Sequence, residues 1–264
     1  MRIIVVVPTF YANTEDLRYQ LALETCREVA RCGLEAIFVD ASPSQNVWDE
    51  MRKHGTLNGK EHVRVAPQTY TGKKGAALRE GIALAAQELG EEAGVIAFQE
   101  PEKVNMIEQW SAVVRLLGGA DICALKRSDA SFRATYPTEQ YHSENFANLY
   151  LDALAKEVDF PSIDWTMGPI AFKSPLARHW ASYEGDLWDM QLVPMVRAQR
   201  WHGANAVVHE FEFQHPSSMR NEELGVPQWS EKRLFQLNFL FEHVGNALKE
   251  TSDPTTLMEQ KVDG

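Results

Sequence analysis

Short unbroken apolar runs recur along this chain, each closed by residues that turn the backbone, and longer amphipathic stretches lie between them. Such runs suit strands buried on both faces of a parallel sheet, while the intervening stretches carry helical spacing. Residues 3–7 predict the first strand. A helix follows over 16–31, where Leu17, Leu21, Ala22, Cys26, Val29 and Ala30 fall near every third or fourth position and Gly33 supplies the stop. Further strands are predicted at 36–39, 63–65, 95–98 and 122–125, with helices at 48–54, 76–89 and 107–117 between them. This succession predicts an α/β fold with a mostly parallel, doubly wound sheet flanked by helices. Right-handed crossovers then put the ligand edge at the carboxyl ends of the strands.

The second half is less regular. Helices are predicted at 145–156, 189–200 and 229–248, strands at 170–172 and 206–213, and a loose tail at 251–264. No linker interrupts the chain, so residues 1–250 read as one domain.

Composition narrows the function classes. A formal net charge of −11 repels a polyanion, which argues against nucleic acid as a partner. Cys26, Cys32 and Cys123 lack CxxC spacing and read as reduced thiols rather than disulfides or zinc ligands. The opening MRIIVVVPTF is too short an apolar run for a signal core, and no stretch reaches the roughly 20 apolar residues of a membrane span. A cytoplasmic location is the expectation, and the sequence is compatible with a homodimer.

Four strand ends hold polar residues beyond what a turn requires. After the first strand, Pro8 fixes a turn in which Thr9 and Tyr11 leave backbone groups open to a flat nucleobase. Asp40, ending the second, can accept hydrogen bonds from a base or a ribose, or serve as an ordinary turn aspartate. In TGKKGAAL, glycines flank Lys73 and Lys74 just before a helix, an arrangement that suits a phosphate without the spacing of an ATP-hydrolysing P-loop. After the fourth strand stand Gln99, Glu100, Pro101 and Glu102. Two acids two residues apart can hold a divalent cation, manganese or magnesium, against a diphosphate, or can simply form a charged loop.

Later residues extend the set. His215, ahead of Pro216, can supply an imidazole as a third ligand to that cation. Asp189 and Asp186, near a helix start, can orient or deprotonate an acceptor hydroxyl, or cap the helix. Arg127, Arg133 and Arg220 are candidate clamps for phosphate or carboxylate. Trp165, Trp188 and Trp229 can stack on a sugar or fill the core.

Pro-Thr after strand one, an aspartate after strand two, GKKGAAL before a helix and an acid-x-acid motif after strand four resemble, in their order, the GT-A glycosyltransferases of family 2. The second half is similar to retaining enzymes of the glucosyl-phosphoglycerate and mannosylglycerate synthase type, through Lys126-Arg127, the 145–156 helix, Thr166-Met167-Gly168-Pro169, GDLWD and FEFQHP. The resemblance implies a GT-A fold with a donor-nucleotide half at 1–125 and an acceptor half at 126–250. It implies that Asp40 contacts the base, Lys73 or Lys74 the nucleotide, and Glu100 with Glu102 a metal-diphosphate. The expected partners are a nucleoside-diphosphate sugar and a small-molecule or glycan acceptor, with retaining transfer. The sequence departs from the family where aspartates usually form the acid pair, since glutamates flank a proline here.

Two alternatives follow. A non-catalytic sugar-nucleotide binder with a degenerate metal motif is compatible with Glu-Pro-Glu. A sugar-nucleotide-forming nucleotidyltransferase shares the α/β plan, but PTFYANTED lacks the glycine-rich loop such enzymes carry after strand one. The absence of GxGxxG there disfavours a dehydrogenase.

Overall fold

The computed structural model describes residues 1–250, so the tail expected at 251–264 lies outside the described residues. The chain begins with β1 (Ile3–Thr9), α1 (Leu17–Arg31), β2 (Glu35–Asp40) and α2 (Gln45–His54). Next comes a small hairpin of β3 (Thr56–Leu57) and β4 (Lys60–Glu61) that the apolar pattern does not reveal. Asn58 and Gly59 close it with φ of 52° and 76°, the left-handed values that a tight two-residue hairpin loop needs. Then follow β5 (Val63–Pro67), α3 (Lys74–Leu89), β6 (Val95–Phe98), α4 (Trp110–Leu116) and β7 (Ile122–Arg127).

The second half contributes α5 (Asp129–Thr135), α6 (Thr138–Lys156), β8 (Ile170–Lys173), α7 (Ala177–Ala181), α8 (Asp189–His202), β9 (Ala206–Phe211), α9 (Ser217–Glu223) and α10 (Pro227–Lys249). Of these, α5, α7 and α9 are additions to the expected set, each seven residues or fewer. α6 begins seven residues earlier than its apolar spacing suggests, directly after Pro137.

Seven strands form the main sheet in the order β5-β2-β1-β6-β8-β7-β9. All run parallel except β8, which lies antiparallel between β6 and β7, with Ala171 opposite both Ala97 and Cys123. Consecutive β6 and β7 are therefore not neighbours. The mostly parallel α/β sheet is as expected, and the inserted strand is its one departure among the described residues.

Side chains alternate across the sheet. Ile4, Val6, Ile37 and Val39 join one core, with buried residues of α3, α8 and α10. Ile3, Val5, Val7 and Phe38 join the other, with Cys26, Met51 and Trp110. Both faces are covered, which is why these strands read as continuous apolar runs. Among the described residues no helix is long and apolar enough to cross a membrane.

α3 approaches the sheet closely because it carries Gly81. A Cβ there would sit 2.4 Å from Val6 Cγ1 and 2.9 Å from Val39 Cγ2. Gly81→Ala is expected to destabilise the fold by about 1–3 kcal/mol through overpacking, despite alanine's better helix propensity. Urea denaturation checks the sign.

Candidate functional site

The carboxyl ends of β6 and β7, the start of α3 and the segments α9 and α10 surround a cleft of about 170 Å³ that opens to solvent. Its wall at the start of α3 depends on a close backbone contact. The Gly75 N–H donates to the Asp186 carbonyl at 2.8 Å, and a Cβ on Gly75 would meet the Gly185 oxygen at 2.4 Å. With the loop seated there, Lys73 turns outward to pair with Asp186 at 3.3 Å. Lys74 turns inward.

Glu100 receives it. Its Oε1 accepts from Lys74 Nζ at 2.6 Å and from Gln191 Nε2 at 3.1 Å, while its Oε2 accepts from Lys103 Nζ at 2.8 Å. Lys103 also donates to the Met167 carbonyl. Gly168, at φ 93°, leaves room for this cluster, since a Cβ would lie 2.8 Å from Gln191 Nε2 and 3.1 Å from Glu100 Oε1. Burial alone would raise the Glu100 pKa, but Lys103 and Lys74 outweigh it and hold the carboxyl below its usual range.

On the β7 side the floor is built on Arg127, 4% exposed at the end of that strand. Its Nε donates to Asp164 at 2.6 Å, and one terminal nitrogen reaches Asp164 at 2.9 Å, Glu144 at 3.0 Å and Thr166 at 2.9 Å. The guanidinium lies 3.6 Å from the Phe132 ring centroid. Arg127 is thus held by side chains of its own fold through Nε and one terminal nitrogen. Asp164 is buried, which pushes its pKa up, yet Arg127 pulls it down to about 2.

His215 lines the same cleft, its ring stacked on Tyr136 at 4.2 Å. Its Nε2 lies 3.5 Å from Glu223 Oε2, within ion-pair reach but without hydrogen-bond geometry. Glu223, raised by burial, is held low by His215, Arg18 and Arg233. Glu102 also lines the cleft and, among the described residues, makes no hydrogen bond or ion pair. Trp188 and Trp229 are in its wall, whereas Trp165 is core, donating to Asp152 at 2.8 Å.

Several expected residues are engaged elsewhere. Asp40 is 1% exposed and accepts from the Ser42 N–H, the Ser42 hydroxyl and Trp48 Nε1, so it organises its own loop. Asp189, 3% exposed, accepts from the Tyr183 hydroxyl at 2.8 Å and the Leu187 N–H at 3.1 Å, outside the cleft wall. Gln99 accepts from Trp110 Nε1 at 2.7 Å and is equally buried. Arg220 lies on α9 outside the cleft, its Nε buried without a hydrogen bond, and Arg133 is exposed.

A second groove of about 240 Å³ lies beside the cleft, lined by Pro8, Thr9, Phe10, Gln68, Lys73 and Lys74. Thr9 Oγ1 is buried without a hydrogen bond there. Tyr11 turns away into the core, against Tyr19. Lys74 is common to groove and cleft.

Among the described residues, no group of three or more His, Cys, Asp or Glu side chains is placed to hold a metal. The expected Glu100, Glu102 and His215 set is not assembled as ligands, for a physical reason. Both Glu100 oxygens already carry ammonium groups, and a divalent ion would have to displace or stand beside them against like-charge repulsion that a half-buried site screens poorly. Glu100 as it stands therefore does not fit a divalent cation, whereas, among the described residues, Glu102 and the His215 Nε2 line the same cleft without a hydrogen bond.

The sheet order, with its single antiparallel strand and its cleft at the strand carboxyl ends, is the GT-A, nucleotide-diphospho-sugar transferase fold. Within that fold the chain resembles glucosyl-3-phosphoglycerate synthase from Mycobacterium tuberculosis. The structure of that enzyme with Mn2+, UDP-glucose and phosphoglyceric acid superposes with a TM-score of 0.63 at 12% identity, over 92% of this chain and 80% of the other. A mannosyltransferase from Pyrobaculum calidifontis, in complex with GDP-mannose and Mn2+, gives 0.56 at 14% identity, over 96% and 66%. No protein-family model and no curated protein matches the sequence.

Lys103, Gln191, Gln68 and Lys232 were not singled out by sequence. The lysine three residues after Glu100 was the readable signal, since a cation there can reach the same carboxylate.

Arg127→Met should cost about 3–5 kcal/mol, because it strands Asp164 as a buried charge without an ion-pair partner and leaves Glu144 only Arg233, at 3.7 Å. Chemical denaturation at neutral pH checks this. Asp164 has a depressed folded pKa of about 2, so its stabilisation is present above the ordinary aspartate range and is lost as pH falls towards 2. Asp164→Asn is accordingly expected to flatten the stability profile between pH 4 and 2, as read by urea melts.

Proposed function

We propose that this chain is a glycosyltransferase that takes a sugar from a nucleoside-diphosphate sugar and passes it to an acceptor hydroxyl. The observation that carries the reading is Lys74, one cation shared by the groove at Pro8, Thr9, Phe10 and Gln68 and the solvent-open cleft at the strand carboxyl ends. In this reading the base and ribose lie along Pro8, Thr9, Phe10 and Gln68, and the unbonded Thr9 hydroxyl meets a ribose or base polar group. The diphosphate passes Lys74. The transferred sugar then enters the cleft, against Trp188 or Trp229.

Catalysis in this arrangement is chiefly electrostatic. Fixed cations near the diphosphate stabilise the charge that builds up as the glycosidic bond breaks, and the enclosing walls hold the acceptor hydroxyl in place. Glu102, unpaired at the cleft, is the carboxylate free to accept the acceptor's proton. Asp186 stays with the donor loop through Lys73, and Asp189 supports the start of α8 through Tyr183. The solved neighbours named above are in complex with UDP-glucose or GDP-mannose together with Mn2+. Transfer with retention of the anomeric configuration is the expectation carried by the likeness of the second half.

A non-catalytic binder of sugar nucleotides is the second reading, favoured by the fact that both Glu100 oxygens are engaged. Slow hydrolysis of a bound donor distinguishes the enzyme from the binder.

Thermal shifts with a panel of nucleoside-diphosphate sugars test the reading. At least one should raise the melting temperature, and Lys74→Met should weaken that ligand roughly 10- to 100-fold, as expected for loss of a hydrogen bond to a charged group. Circular dichroism confirms that the variant is folded. A panel without a single stabilising ligand rules out the donor.

A further inference from the structure

Building on the nucleotide-sugar reading, we propose that this cleft neutralises the donor diphosphate with lysine ammonium groups, Lys74, Lys103 and Lys232, in place of a divalent cation.

The first observation is the Glu100 clamp. Lys74 and Lys103 hold opposite oxygens of one carboxylate at 2.6 and 2.8 Å, and all three line the cleft. A metal-binding carboxylate must offer an oxygen lone pair to the ion. Here each oxygen already accepts from an ammonium group, with Gln191 adding a third donor at 3.1 Å. Glu100 therefore acts as the counter-ion that keeps two lysines in place.

The second observation is independent and comes from the opposite wall. Lys232 on α10 reaches over the cleft, its ammonium 4.6 Å from the Trp229 ring centroid. Among the described residues it has no carboxylate within ion-pair distance. Although the residue as a whole is exposed, the protein crowded around its ammonium, and then the positive charges of Lys74 and Arg18, hold its pKa below the usual lysine range. Like charges pressed together across a cavity are relieved by an anion placed between them. Lys74 and Lys232 line the same cleft, so a diphosphate entering beside Lys74 meets positive charge from both walls.

The arrangement gives the clamp a function beyond structure. A diphosphate can share the ammonium donors of Lys74 and Lys103 without displacing a metal, and Lys232 closes on it from the far side. Lysine suits the task because each ammonium carries three donors and can serve a carboxylate and a phosphate together.

Calorimetric titration with UDP, GDP, ADP, CDP and dTDP, in EDTA and in manganese chloride, tests this. The expected result is a nucleoside diphosphate whose Kd changes by less than about threefold between the two buffers. Lys232→Met, on an exposed helix position that leaves the core intact, should weaken it at least ~10-fold in both, the loss of one charge-assisted contact. Glu100→Gln is the sharper variant. It should retain binding in EDTA and show a larger ligand-induced rise in melting temperature than the parent, since the diphosphate then supplies the missing negative charge.

Affinity that rises tenfold or more with manganese, or that vanishes in Glu100→Gln, overturns the proposal and leaves the nucleotide-sugar reading standing. Failure of every nucleoside diphosphate to bind in either buffer instead overturns that reading, and the proposal falls with it.

Discussion

The carboxylate of Glu100 is the point on which the rest of the site depends. It sits where β6 ends, yet its partners come from the start of α3, from the loop after β6 and from α8, and Lys103 extends the connection to the Met167 carbonyl. Four separate stretches of chain are therefore fixed relative to one another by one buried charge. Two ammonium groups compensate its desolvation, which is why so small an acid can hold so many elements. The price is that it has little left to offer a metal.

Arg127 plays the corresponding part across the cleft. Its guanidinium fixes α6 through Glu144 and the segment before β8 through Asp164, while Phe132 covers its face. Glu144 in turn lies 3.7 Å from Arg233 on α10, so the network reaches the helix that carries Lys232. The two walls of the cleft thus rest on separate buried ion clusters. Substrate closing the gap between them would meet preorganised charges rather than mobile ones.

Much of this was legible in the sequence, and the gaps have physical causes. Unbroken apolar runs gave the parallel strands because both sheet faces are covered, and TGKKGAAL announced a cationic helix start. β8 has four residues, and nothing in so short a run says which way it points. Asp40 and Asp189 stand at the right places in the chain, but their side chains turn to Ser42, Trp48 and Tyr183, choices made by local packing that spacing does not record. His215 was placed at the cleft by its position after the late strand, while its stacking on Tyr136 depends on α5, an element with too few apolar positions to register. Lys103 resembled an ordinary solvated lysine because the carbonyl that helps to hold it lies 64 residues away.

The inserted strand β8 also bears on how the chain is made. As residues leave the ribosome in order, β5, β2, β1 and β6 can pair with one another, but the free edge of β6 waits for Ile170–Lys173. For some seventy residues of synthesis an apolar edge strand has no partner, a state in which nascent chains recruit one another. A truncated product ending before that strand would keep the groove at Pro8, Thr9 and Lys74 on a sheet whose β6 edge is open.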